Sequence, residues 1–148
     1  MLPLFEHIDP IPSPVEVLLK KEFKHTIVRY RKDGIVHVTY MEGRNVTISD
    51  LYAMGKFISH IGVANKYKVL SELELGATID NEARVFLATE AGSMFISKNA
   101  VLCRYIEQEM ISNFFIRVDN PKVSTKIFED KTKAIKWLLS SSLDKISG

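Results

Sequence analysis

Leu70-Ser-Glu-Leu-Glu-Leu-Gly-Ala-Thr-Ile-Asp-Asn-Glu-Ala-Arg-Val-Phe-Leu-Ala88 is the stretch that decides the fold. It opens in a β-type segment, Tyr67–Ser71, runs through a turn to Ile79-Asp80-Asn81-Glu82, and starts a helix there. In an open α/β sheet, ligands bind beyond the carboxyl ends of the strands. Backbone donors, two carboxylates and a turn meet at this one junction, so a site is expected here.

Outward from the junction the elements alternate. Upstream, His25–Arg31 and Ile35–Tyr40 are rich in β-branched and aromatic residues and flank Asp33-Gly34, a two-residue hairpin signal. Thr47 and Asp50 form a capping box. The helix behind it carries Leu51, Met54, Ile58 and Ile61 on one stripe and ends at Gly62. Downstream, residues 81–90 predict a helix stopped by Gly92, and 100–104 a buried strand. Residues 106–118 predict a helix with a broad face of Ile106, Met110, Ile111, Phe114, Phe115 and Val118, barred from extension by Pro121. A strand over 125–128 and a helix from the cap Asp130 to about Leu139, with Ala134, Ile135 and Leu138 facing inward, complete the series. The order predicts an α/β domain with a mostly parallel five-stranded sheet and an antiparallel N-terminal hairpin strand at one edge.

The ends differ in composition. Pro3, Pro10, Pro12 and Pro14 are four of the five prolines. They predict an extended arm over 1–14. Val15, Leu18, Leu19 and Glu22 fall at helical spacing, so 15–23 reads as a short helix that must bury its stripe on the domain or on a second copy as a homodimer. The three expected segments are arm and helix 1–23, domain 24–140 and polar tail 141–148.

Composition narrows the function. The 148 residues carry 46% hydrophobic and 26% charged side chains, ordinary for one globular domain. A net charge of +2 gives no argument for nucleic acid. The basic run Lys20, Lys21, Lys24, Arg29, Arg31 and Lys32, with Tyr30 and Tyr40 interleaved, is offset by acidic residues and reads as a solvated surface. The single Cys103 excludes an internal disulfide and sits in an apolar strand, as a buried thiol. No apolar run is long enough to span a bilayer, and no secretory signal is read, so the expected location is cytoplasmic.

The order of elements and the Ile79-Asp80 junction together resemble the STAS domain, the SpoIIAA-like fold of bacterial anti-sigma-factor antagonists. The resemblance covers about 24–140. Arg31-Lys-Asp-Gly-Ile-Val, Glu82-Ala-Arg-Val-Phe-Leu-Ala, Ser112-Asn-Phe-Phe-Ile-Arg-Val-Asp-Asn-Pro and Thr125-Lys-Ile-Phe-Glu-Asp look like a group of small STAS-like proteins of Bacteroidetes. The resemblance implies a (βα) superhelix with helices mainly on one face of the sheet, leaving the other face open. It also implies a non-catalytic regulatory domain that binds another protein. Antagonists are phosphorylated on a Ser or Thr just after the Asp. Here Asn81 and Glu82 follow Asp80 and offer no hydroxyl, so no phosphoswitch is expected.

Partner binding is therefore expected at Asp80, Asn81, Glu82, Arg84 and Val85. As an acid/base pair, Asp80 and Glu82 diverge; as first-turn residues they complement the helix dipole and cap its amides. The alternative function is a small-molecule or lipid carrier, since lipid-transfer proteins of the CRAL-TRIO type carry a version of the fold. Its pocket would be lined by Met110, Phe114 and Phe115. No cofactor is called for: His7, His25, His37 and His60 show no metal-ligand spacing, and no Gly-rich phosphate loop is present.

Overall fold

The structure, a computed structural model, describes residues 15–140; the arm 1–14, His7 and the tail 141–148 lie outside them. Six strands form the main sheet: β1 (Val17–Glu22), β2 (Thr26–Arg31), β3 (Val36–Tyr40), β5 (Tyr67–Leu73), β7 (Ile96–Leu102) and β8 (Thr125–Phe128), in that spatial order. The first two pairings are antiparallel and the rest parallel. Two short strands, β4 (Asn45–Val46) and β6 (Thr78–Ile79), pair parallel in a separate ladder. The helices are α1 (Ile48–Ser59), α2 (Asn81–Ala88), α3 (Ile106–Phe114) and α4 (Lys131–Leu139). A π turn, Phe115–Asp119, extends α3.

Local chemistry sets most boundaries as expected. Gly34 closes the β2–β3 hairpin at φ +88. The Thr47–Asp50 box is fully formed at the start of α1. Asp130 accepts from the amides of Thr132 and Lys133 and caps α4. Behind α2 the chain passes so close to itself that a Cβ on Gly92 would sit 1.9 Å from the Phe86 carbonyl oxygen. Only glycine fits there without moving backbone.

The short helix expected over 15–23 is a strand instead, and the sheet has six strands rather than five. Val17–Glu22 pairs with β2 across five register positions, with a bulge between Val17 and Leu19. Over so few residues an apolar run does not distinguish the two periods. The free edge of β2 decides, because its amides and carbonyls need partners. All six β1 residues are exposed, with Lys20 and Lys21 and the bulge acting as ordinary protection of a sheet edge.

Strand alternation sends Tyr67, Val69 and Ser71 to one face and Lys68, Leu70 and Glu72 to the other. On the first face α1 buries Leu51, Met54 and Ile58, and α2 buries Ala83, in one core with Val28, Val38 and Val69. The inner side of α3 joins this layer through Ile111, Ser112 and Phe115. On the second face α4 buries Ala134 and Leu138 against Ile35, Leu70, Ala100 and Leu102. The helices thus lie mainly on one face, and the opposite face, expected open, is partly closed by α4.

Candidate functional site

The α2 junction is built by the β4–β6 ladder. The Asp80 amide donates to the Val46 carbonyl (2.9 Å). Asn45 donates through Nδ2 to Asp80 Oδ1 (2.7 Å), and Thr78 Oγ1 donates to Asn45 Oδ1 (2.8 Å). Asp80 occupies the N-cap position, yet its side chain makes no cap bond to α2. This corrects the capping role expected for it: Asn45 takes the carboxylate. Asn81 Oδ1 accepts from Arg84 (2.7 Å). The Arg84 guanidinium also donates to Asp119 and stacks 4.8 Å from the Phe114 ring centroid. Arg84 therefore ties α2 to α3 and its π turn. Of the five expected contact residues, Asn81, Glu82 and Val85 are exposed at the surface.

The pocket expected behind α3 takes one of its three residues. Phe115 is 7% exposed and lines a cavity on the sheet, whereas Met110 and Phe114 are 67% and 47% exposed. The helix carries more apolar residues than one inner face can hold. Ile111 and Phe115 turn inward; Ile106, Met110, Phe114 and Val118 form an outer row at four-residue steps. Two adjoining cavities, each about 60 Å³, lie between the helices and the sheet and share Tyr40, Ser71, Leu87 and Asn99. Ser71 Oγ donates to Asn99 Oδ1 (2.9 Å) on their floor. Burial pushes the Tyr40 hydroxyl up to about 12, against the hydrogen bond with Ser71.

A polar cluster on the second sheet face was not legible as such in the sequence. His37 Nε2 and Glu72 Oε1 are 2.8 Å apart, and Arg104 donates to Glu72 Oε2 (2.8 Å). Thirty-five positions separate the first two. Only the β3–β5 register, which sets His37 beside Leu70 and Thr39 beside Glu72, brings them together. The hydrogen bond from His37 is the largest influence on Glu72; with Arg104 it outweighs burial and lowers the carboxyl to about 2 from 4.5. Burial lowers His37 below its ordinary 6.5, opposed by its bond to Glu72.

Both shifts make acid destabilising. His37 contributes stability above pH 6.5 that is lost as pH falls through its lowered pKa. Glu72 contributes stability above pH 4.5 that is lost as pH falls towards about 2. His37→Gln keeps an amide donor for Glu72 and takes up no proton. The variant should lose stability less steeply than the wild type between about pH 7 and about pH 4.5, read as urea midpoints against pH. Superimposable slopes would show that other groups govern the acid limb.

The remaining reactive groups are tied locally. His25 pairs with Asp50 at 2.8 Å beside the α1 cap. His60 Nδ1 lies 2.6 Å from the Lys56 carbonyl. Cys103 is buried, 3.2 Å from Ser112 Oγ, and burial pushes its thiol up. Among the described residues no three His, Cys, Asp or Glu side chains converge to hold a metal ion, and no helix is long and apolar enough to cross a membrane.

Comparison with known proteins adds the family. An uncharacterised DUF3478-family protein with a SpoIIAA-like fold, from Shewanella loihica PV-4, superposes with a TM-score of 0.50. It is 14% identical, over 88% of this chain and 98% of that one. The likeness shows the fold alone: a mostly parallel α/β sheet of the SpoIIAA-like kind. A protein of unknown function from Arthrobacter sp. FB24 is 22% identical over 77% of this chain and 99% of that one, with a TM-score of 0.29. No curated protein matches the sequence. Residues 29–142 match the family described as "Domain of unknown function (DUF7793)", and the chain belongs to that family.

Proposed function

We propose that this chain is a non-catalytic regulatory domain of STAS-like type, which acts in the cytoplasm by binding another protein and is not switched by phosphorylation at the start of α2. The observation that carries the reading is the exposed apolar surface of the α2–α3 layer. Val85 on α2 is 50% exposed, and the outer row of α3 runs from Ile106 (73%) to Val118 (61%). Large apolar side chains left exposed together on a helix face, beside charged residues, point to an interaction site. Glu82 on α2 and Glu107 and Glu109 on α3 are the exposed charges of the same two helices. The His37 and Glu72 side chains are mostly buried on the sheet face and tied to each other and to Arg104, which supports a structural role for the pair.

The carrier reading has one observation in its favour, the adjoining cavities over Tyr40, Ser71 and Asn99. Each, at about 60 Å³, has room for a few waters, at about 10–15 Å³ of such space per water, and not for a lipid chain. A lipid would need the helices to part. Native mass spectrometry of the purified chain should accordingly give the apo mass; a retained lipid would reverse the order of the two readings.

The direct test is Glu82→Lys. An exposed first-turn charge contributes only about 0.3–1 kcal/mol through the helix dipole, so the fold should survive. Partner capture from the native cytosol should be lost, because like charges facing each other at an interface cost several kcal/mol. Equal recovery of every partner by the variant and the wild type would overturn the reading of the junction.

A further inference from the structure

We infer that the outer row of α3 is the contact between two antiparallel copies of this chain, which form a two-fold dimer. The inference rests on the reading of α3 as an interaction surface and names its occupant. The row consists of Ile106, Met110, Phe114 and Val118, spaced by four, and all four are exposed. In a regular α-helix residues four apart drift steadily round the axis. The π turn at Phe115–Asp119 winds more slowly, which returns Val118 towards the line of the other three. The same turn brings Arg117 back to the flank that carries Glu109, and both are exposed. Arg84, with its contacts to Asp119 and Phe114, braces the opposite flank against α2.

The row thus carries its own charge complement. Laid antiparallel about a two-fold axis beside Asn113, Glu109 of each copy stands level with Arg117 of the other, and the two ion pairs are made by one symmetric operation. A rise of about 1.5 Å per residue staggers the apolar side chains in the same register. Along the seam, Ile106 is followed by Val118 of the second copy, then Met110, then Phe114 of the second copy, and the order then repeats in reverse. No apolar residue meets its own equivalent except the neighbouring phenylalanines at the centre. A surface that pairs with itself in this way closes on two copies, and it leaves the exposed Glu82 and Val85 of α2 as the part of the layer that meets the second protein of the proposed function. The exposed β1 edge lacks this property: Lys20 and Lys21 and its bulge guard it.

The test is the mass of the full chain in solution, by sedimentation or light scattering over a dilution series from about 0.1 to about 100 μM, which brackets a dissociation constant of about 1 μM and a tenfold change in it. The wild type is expected at twice 16.8 kDa. Met110→Glu should run as a monomer with an unchanged circular dichroism spectrum. Glu109→Arg and Arg117→Glu should each weaken the dimer about tenfold or more, and the doubly reversed chain should return close to the wild type, because like charges are again opposed by unlike. A monomeric wild type, a dimer that survives Met110→Glu, or a double reversal no better than the singles would overturn the inference. The mass is independent of partner capture. A monomer whose capture still depends on Glu82 sinks the dimer and leaves the proposed function standing; a dimer that captures nothing does the reverse.

Discussion

Phe115→Ala should destabilise the domain by about 3–5 kcal/mol, the usual loss for a buried ring, while its neighbour Phe114→Ala should cost about 1 kcal/mol or less. Phe115 is 7% exposed and closes the cavity over Val101 and Tyr40. Its removal would join a ring-sized void to space that is already empty, and the sheet beneath cannot collapse to fill it. Phe114 is 47% exposed, and the Arg84 guanidinium stacks over its ring. A cation–π contact at such a site contributes about 0.5–1 kcal/mol. Urea unfolding of the two variants, both made in the monomeric Met110→Glu background so that loss of a dimer contact at Phe114 does not enter, reads the difference directly. Equal losses would show that the division of α3 into an inner and an outer side is wrong.

That pair of residues also marks the limit of what could be read from the sequence. Elements with their own local chemistry were legible. The Asp33-Gly34 hairpin, the Thr47–Asp50 box, the Asp130 cap and the stop at Pro121 each depend on residues within a few positions of one another. The inward trio of α4 was legible as well: Ala134 and Leu138 are fully buried, and Ile135 packs beside them. Residues 106–118 defeated the same method because apolar residues occupy two faces of that helix. Periodicity says that both are hydrophobic and cannot say which one the sheet covers. The π turn then shifts the phase at the point where Phe114 and Phe115 diverge.

Three further differences from the sequence reading share a cause. β1 is a strand because β2 offers it a backbone edge, and that edge is absent from any window of the sequence around Val17. The His37–Glu72–Arg104 cluster exists because β3, β5 and the end of β7 lie side by side in one register. Asp80 fails as a cap for the same kind of reason, since Asn45 reaches it from the neighbouring short strand. In each case a contact distant in sequence outbid a local preference. The exposed position of Glu82 at the start of α2 was legible because a helix's first turn is governed locally.

Leu138→Ala tests the layer that the resemblance did not lead us to expect. Leu138 is fully buried, and α4 sets it with Ala134 on Leu70, Ala100 and Leu102, on the sheet face away from the other three helices. Leucine-to-alanine changes in a core cost about 2–5 kcal/mol, more where the site cannot collapse. Here collapse is resisted at the helix end. Lys98 rises from β7 and donates to the Trp137 carbonyl (2.5 Å) and the Ser140 carbonyl (3.0 Å), with its ammonium 4.3 Å from the Trp137 ring centroid. A cation at a helix C-terminus is also favoured by the helix dipole. With the last turn held in place, α4 cannot slide to fill the space, so the loss should fall in the upper half of that range. Amide exchange should accelerate in β5 and β7 as well as in α4, since those strands form the floor of the layer. A loss below about 1 kcal/mol, with strand protection unchanged, would mean that α4 is only loosely docked. The second face of the sheet would then be open, as the resemblance to STAS domains implies.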